Sequence, residues 1–194
     1  MPERRPRADA ARNEKAVLDA ADELFARCAS PAEVTMAAVA TAAGVGKGTL
    51  FRRFGDRSGL LVALMAARLE PLSRQVEEGD PPLGPGTPPR ERAAALLDAV
   101  LGFKLANRHL SLALEEFGSG SPYRAPHYEQ WHRTLSDILE RIPGWSAAES
   151  AFAADALLAT VRADLVEHLV TERGLTPEQV RERVAGFVAR VLAG

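Results

Sequence analysis

VTMAAVATAAGVGKGTLFRRFGDRSGLL, residues 34–61, is the stretch whose reading decides the fold. Glycines at 44, 46 and 48 with Lys47 and Thr49 suggest a phosphate-cradling loop, while Arg52 and Arg53 between Phe51 and Phe54 suggest a nucleic-acid contact. The phosphate-loop pattern G-x-x-x-x-G-K-[ST] fails twice: Thr41 stands where its first glycine belongs, and Gly48 where a hydroxyl must reach magnesium. The dinucleotide pattern G-x-G-x-x-G fails at Thr49. Both patterns also need a buried strand ahead of the glycines, and MAAVATAA is alanine-rich with Thr35 as N-cap, which predicts helix. Two short helices around a turn at Gly44 make a helix-turn-helix, because glycine takes the positive φ of such a turn without strain. The second helix, about Gly46 to Phe54, is then the recognition element lying in a major groove. Leu50 and Phe54, at i and i+4, face inward and leave Lys47, Thr49, Phe51, Arg52 and Arg53 for DNA. Neighbouring Arg52 and Arg53 diverge by about 100° on a helix, so one serves a base and the other a phosphate.

Outward from this stretch the chain predicts an all-α fold of about nine helices. Sustained period-2 alternation is absent, and alanine, leucine, arginine and glutamate dominate. A first helix spans about Arg12 to Cys28, with Val17, Ala21, Leu24, Phe25 and Cys28 on one face. Asp56 caps a long fourth helix carrying Leu60, Leu61, Leu64, Met65, Leu69 and Leu72. GDPPLGPGTPP, residues 79–89, holds five of the chain's 13 prolines and reads as a loop. Further helices run from Arg90 to about Leu105, from Leu110 to Phe117, and from Pro126 to Ile142. Ser146 and Glu149 have capping-box spacing for a helix reaching Leu169, and Thr176-Pro177-Glu178-Gln179 opens the last one. The expected organisation is a DNA-binding domain over 1–58 with a flexible basic N-terminal arm, and a helical bundle over 59–194.

The 194 residues are 46 % hydrophobic, enough for a real core. No apolar run approaches the roughly 18–20 residues that span a bilayer. The N-terminus has arginines but no apolar segment behind them, so no secretory signal is expected, and the single cysteine, Cys28, suits a reducing cytoplasm. The net charge of −2 hides an asymmetry: residues 1–60 carry ten Lys/Arg against eight Asp/Glu, the remainder 14 against 18. Positive charge near the N-terminus of an otherwise acidic chain is a local footprint for a polyanion. His127 and His132 are five apart, a poor same-face spacing, and no HEXXH or CxxC pattern occurs, so no metal is expected. Neither a Gly-x-Ser-x-Gly elbow nor a nucleophile–base set is found, so neither cofactor nor enzymatic activity is expected.

The same residues carry a resemblance. Over about residues 14–64 the sequence resembles the DNA-binding segment of the TetR (tetracycline-repressor) family: a Thr cap, a short helix, a run close to A-G-V-S-K-G-T-L-Y-x-x-F, a turn and a long helix. Three positions depart from that pattern. Gly46 replaces a commonly polar residue, Phe51 replaces tyrosine and loses a hydroxyl, and Arg57 stands where lysine is usual, gaining a bidentate fork for phosphate. The resemblance implies that Thr35 contacts phosphate from its cap position. It implies that Lys47, Gly48, Thr49, Phe51, Arg52 and Arg53 face the groove, and that Arg57 clamps the backbone. Arg4, Arg5 and Arg7 read equally as a DNA-reaching arm or as a merely floppy tail.

For the second half the resemblance implies a ligand-responsive bundle whose last two helices pair with their twins across a two-fold axis. Apolar faces too rich for one partner helix also suit pairing. Phe152, Val161, Leu165, Val180, Val184, Phe187 and Val191 are the expected interface. For a small effector, a mostly apolar pocket with polar anchors is expected from Phe103, His109, Glu116, Phe117, Tyr128 and Trp131. The expected whole is a cytoplasmic, homodimeric regulator, a repressor, that binds double-stranded operator DNA and is released by a small molecule. Two rivals stay open: a helical adaptor whose basic patch meets an acidic partner, and a nucleotide-binding enzyme.

Overall fold

The computed structural model describes residues 4–117, 123 and 126–193, and their side chains except at 4–10, 115–117 and 126. These described residues form ten α-helices and one 3-10 turn, with no strand. In chain order they are α1 (Arg4–Arg27), the 3-10 turn Pro31–Glu33, α2 (Met36–Ala42), α3 (Lys47–Phe54), α4 (Arg57–Glu78), α5 (Pro89–Ala106), α6 (Arg108–Phe117), α7 (Pro126–Glu140), α8 (Ala147–Ala159), α9 (Ala163–Thr171) and α10 (Pro177–Ala193).

The chain divides into two compact units. The first comprises residues 1–68 and 109–119, the second 69–108 and 120–194. The division therefore falls inside α4, ten residues beyond the expected boundary at 58/59, and α6 belongs with the N-terminal helices. The core of the first unit includes Val17, Ala21 and Phe25 of α1, Met36, Val39 and Ala40 of α2, Leu50 of α3, and Leu60, Leu61, Leu64 and Met65 of α4. These last four explain the shift: the opening turns of α4 bury apolar surface as fully as α1 and α2 do. Arg68, on the last turn of α4 in this unit, pairs with the Asp22 carboxylate on α1 and donates to its carbonyl at 3.3 Å. Three residues on, Pro71 interrupts the α4 hydrogen-bond ladder, since it has no amide to donate.

α1 begins at Arg4 and not near Arg12. The residues read as a flexible arm, Arg4, Arg5 and Arg7, thus have helical backbone; their side chains lie outside the described residues. Asp56 caps α4 as expected, its Oδ1 accepting from the Gly59 amide at 2.8 Å. Gly59 itself has a packing role. A Cβ there would stand 2.0 Å from the Phe54 carbonyl oxygen, so only glycine lets the first turn of α4 pass the end of α3.

In the second unit the core is a set of helix faces at i, i+3 and i+4 spacing: Leu96, Leu97, Val100 and Leu101 of α5, Trp131, Leu135, Ile138 and Leu139 of α7, Leu157 and Leu158 of α8, and Val180, Val184, Val188 and Leu192 of α10. Two forked arginine–carboxylate pairs brace it, Arg108 with Glu167 at 2.8–2.9 Å and Arg181 with Asp98 at 2.5–2.9 Å. The proline-rich loop at 79–89 is tied down by Arg92, which donates to the carbonyls of Leu83 at 2.9 Å and Val76 at 2.8 Å.

The helix expected to run unbroken from Ser146 to Leu169 is two helices. The Ser146–Glu149 capping box opens α8 as predicted. The chain then turns at Thr160, whose hydroxyl donates to the Leu157 carbonyl at 2.6 Å while the amides of Thr160 and Val161 make tight i→i−3 bonds. Arg162 is extended (φ −64°, ψ 146°) and restarts the chain as α9. The apolar period continues through the break, which hid it from the sequence.

Gly59→Ala tests the α3–α4 junction. Alanine ordinarily favours helix by about 1 kcal/mol over glycine, but here its methyl meets backbone, and we expect a net loss of about 1–3 kcal/mol in urea denaturation followed by circular dichroism. A stabilised variant would show that the junction relaxes freely.

Candidate nucleic-acid interface

α2 and α3 are set by caps and two left-handed glycines. Thr35 caps α2, its Oγ1 accepting from the Ala38 amide at 3.1 Å. Gly44 (φ +65°) reverses the chain, and the Val45 amide bonds back to the Ala40 carbonyl at 3.0 Å, the closing pattern of a helix that ends on glycine. Gly46 is the N-cap of α3 with extended backbone, and having no side chain it leaves the first turn without a side-chain cap. Gly55 (φ +76°) ends α3, its amide donating to the Phe51 carbonyl at 2.8 Å.

Leu50, 1 % exposed, is the one buried residue of α3. Lys47, Gly48, Thr49, Phe51, Arg52 and Arg53 are all exposed, and Phe54 is half-buried. Phe51 keeps 48 % of its surface, so it lies on the outer face and not in the core. Among the described residues neither Lys47 nor Arg52 has a hydrogen-bond or ion-pair partner, whereas Arg53 Nη2 lies 2.5 Å from Glu14 Oε2 on α1. Sequence reasoning missed this pair, because 39 positions separate its members and no local periodicity links them.

Arg57, the expected phosphate clamp, is engaged within the protein. It is half-buried, its Nε donating to the Val34 carbonyl at 2.9 Å and its Nη2 to the Pro31 carbonyl at 2.6 Å. These bonds hold the segment that carries Thr35, so Arg57 is a positioning residue. The fork expected to grip phosphate grips backbone carbonyls.

The six expected effector residues are distributed over both units. Trp131 is core, and Phe103 is half-buried on α5. His109 belongs to the first unit, its Nδ1 3.3 Å from Cys28 Sγ, whose pKa is raised by burial and by the Glu33 carboxylate. Glu116 and Phe117 have side chains outside the described residues. Tyr128 lines an open groove of about 990 Å³ between α7 and α8, shared with Tyr123, His132, Phe152 and Asp155. Its hydroxyl donates to Asp155 Oδ1 at 2.6 Å; burial, then that bond, push its pKa up, so it stays neutral.

Of the expected interface, Val161, Val180 and Val184 are buried in the single chain and leave little surface for a partner. Their apolar period reports the intrachain core. Phe152 is 76 % exposed, Leu165 and Phe187 are exposed, and Val191 is half-buried. No helix among the described residues is long and apolar enough to cross a membrane, and these residues contain no group of three His, Cys, Asp or Glu side chains able to hold a metal.

A short helix with one buried anchor, a solvent-facing set of cationic and hydroxyl side chains and a glycine turn ahead of it define a helix-turn-helix DNA-binding protein. Residues 17–64 match the model of the bacterial regulatory proteins of the tetR family. An HTH-type transcriptional regulator of Staphylococcus aureus is 24 % identical over 186 residues, covering 94 % of this chain and 95 % of that one. A putative TetR-family transcriptional regulator from Rhodococcus superposes with a TM-score of 0.66 at 22 % identity, covering 93 % of this chain and 98 % of that one. NalD, the secondary repressor of the MexAB-OprM multidrug efflux pump in Pseudomonas aeruginosa, has a TM-score of 0.56 at 20 % identity, covering 94 % and 96 %. The chain is thus similar to transcriptional regulators of the TetR family, with residues 17–64 matching the family's model.

Arg57→Ala is expected to cost about 2 kcal/mol of stability, the worth of hydrogen bonds from a charged donor to partly buried carbonyls. Lys47→Ala, on an open face, should stay within about 0.5 kcal/mol of wild type. Equal urea midpoints for the two variants would return Arg57 to the role of an independent phosphate clamp.

Proposed function

We propose that the protein is a cytoplasmic repressor that binds a pseudo-palindromic operator as a homodimer and leaves it when a small molecule binds the second unit. The observation carrying the DNA-reading part is the outer face of α3. Six expected contact residues are exposed together on eight residues of helix anchored by Leu50, with Lys47 and Arg52 unpaired among the described residues. Lys47 and Thr49, near the helix start, read base edges, joined by Arg52; Arg53 takes phosphate; Thr35 adds a backbone contact from the start of α2. Phe51 offers an apolar surface to a thymine methyl. Gly48 lets the helix backbone approach the duplex closely.

An α3 of this size makes few contacts, and two copies on half-sites one duplex turn apart supply the affinity. Exposed Phe152, Leu165 and Phe187, with Val191, are the apolar surface assigned to the second copy. Repression is supported by likeness to a chain described as a repressor. For release, the effector must bind the DNA-incompetent arrangement more tightly than the competent one. Tyr128 remains the best placed of the expected effector contacts.

The DNA reading is tested by anisotropy titrations of duplexes from the promoters flanking its gene. A dimer neutralising on the order of ten phosphates should lose roughly three or more decades of affinity between 50 and 200 mM salt, and Lys47→Ala with Arg52→Ala should weaken operator binding at least tenfold. A salt-insensitive complex would favour the acidic-protein partner. Independently, Phe152→Glu with Phe187→Glu should convert the dimer to monomer in sedimentation; an intact dimer would place the interface elsewhere.

A further inference from the structure

Glu14 lies on α1, outside the helix-turn-helix, yet its carboxylate holds Arg53 at 2.5 Å. The pair is open to solvent, with 59 % of the arginine side chain and 33 % of the glutamate side chain exposed. α3 carries three cationic side chains, Lys47, Arg52 and Arg53, and only Arg53 is matched by a carboxylate among the described residues. A third of the positive charge on the reading helix is therefore neutralised before any DNA arrives.

Attraction to phosphate is nearly independent of sequence and supplies essentially all of non-specific binding. An unmatched arginine strengthens binding to every duplex alike. An arginine engaged by a carboxylate must give up that partner, and the carboxylate meets the approaching phosphates with like charge. An exposed ion pair is weak, so it yields to a well-seated complex but discourages a loose one. We propose that Glu14 is a specificity-determining residue: it withholds Arg53 from phosphate in non-specific encounters and releases it when base contacts seat α3 in the operator groove. The repulsive element acts against the competing complexes, which is how selectivity is gained without a new attractive contact.

The inference rests on α3 reading DNA, and its test keeps the two apart. Full-length wild type, Glu14→Gln, Arg53→Ala and the double variant are titrated with an operator duplex selected from random DNA and with a scrambled duplex of equal length, at several salt concentrations. Glu14→Gln is expected to bind the scrambled duplex at least threefold more tightly and to lower the operator-to-scrambled affinity ratio. Its salt slope should steepen by about one unit per protomer, the signature of one more phosphate neutralised. In the Arg53→Ala background these changes should vanish. Glu14→Asp, which keeps the charge but withdraws it by one methylene, should shift the same quantities in the same direction by less, and it serves if the glutamine variant fails to fold. Unchanged scrambled-duplex affinity, weaker operator binding, or an effect that persists without Arg53 would each overturn the proposal. Wild type that binds neither duplex would refute the assignment of α3 as the reading helix.

Discussion

Burial of Leu50 is the constraint on which the exposed face of α3 depends. A helix of eight residues is not stable alone in water, and α3 is weaker than most because Gly48 sits in its first turn and Gly46 supplies no cap. Fully burying one leucine contributes roughly 1.5–3 kcal/mol, more than the cost of Gly48 within the helix at about 1 kcal/mol. One side chain thus decides that α3 is helical and which way it faces. With Leu50 turned inward, the helical period puts Lys47, Thr49, Phe51, Arg52 and Arg53 in solvent.

Around that anchor the connecting segments are held by polar groups with assigned partners. Asp56 caps α4, Gly55 turns the chain, and Gly59 lets α4 start directly beneath the Phe54 carbonyl. Arg57 reaches from the foot of α4 to the carbonyls of Pro31, which opens the short turn leading into Thr35, and Val34, which follows it. The two ends of the helix-turn-helix are therefore tied to each other through one guanidinium. This is a structural use of the charge within the protein.

The second unit shows how an apolar period can be misread in two ways. Val180 and Val184 lie on a stripe that is equally good for a partner chain or for α10's own neighbours, and burial assigns it to the intrachain core. Phe152, on the other side of α8 from Leu157 and Leu158, is the residue left uncovered. Between α8 and α9 the chain breaks without any glycine or proline, through the Thr160 hydroxyl and an extended Arg162.

What could be read from the sequence was what is encoded within about ten residues. Thr35, Gly44, Leu50, Gly55 and Asp56 each announce a cap, a turn or an anchor through their own side-chain chemistry, and together they specify the helix-turn-helix and its outward residues. The all-α class followed from the 3.6-residue period, and the Ser146–Glu149 cap from its spacing. What lay beyond reach was pairing between distant residues: Arg53 with Glu14, Arg57 with the carbonyls at 31 and 34, His109 with Cys28, and the division of valines between core and surface. Local spacing determines which face of a helix is apolar, but which neighbour covers that face, and which carboxylate or carbonyl captures a long flexible cation, depends on where the chain returns in space.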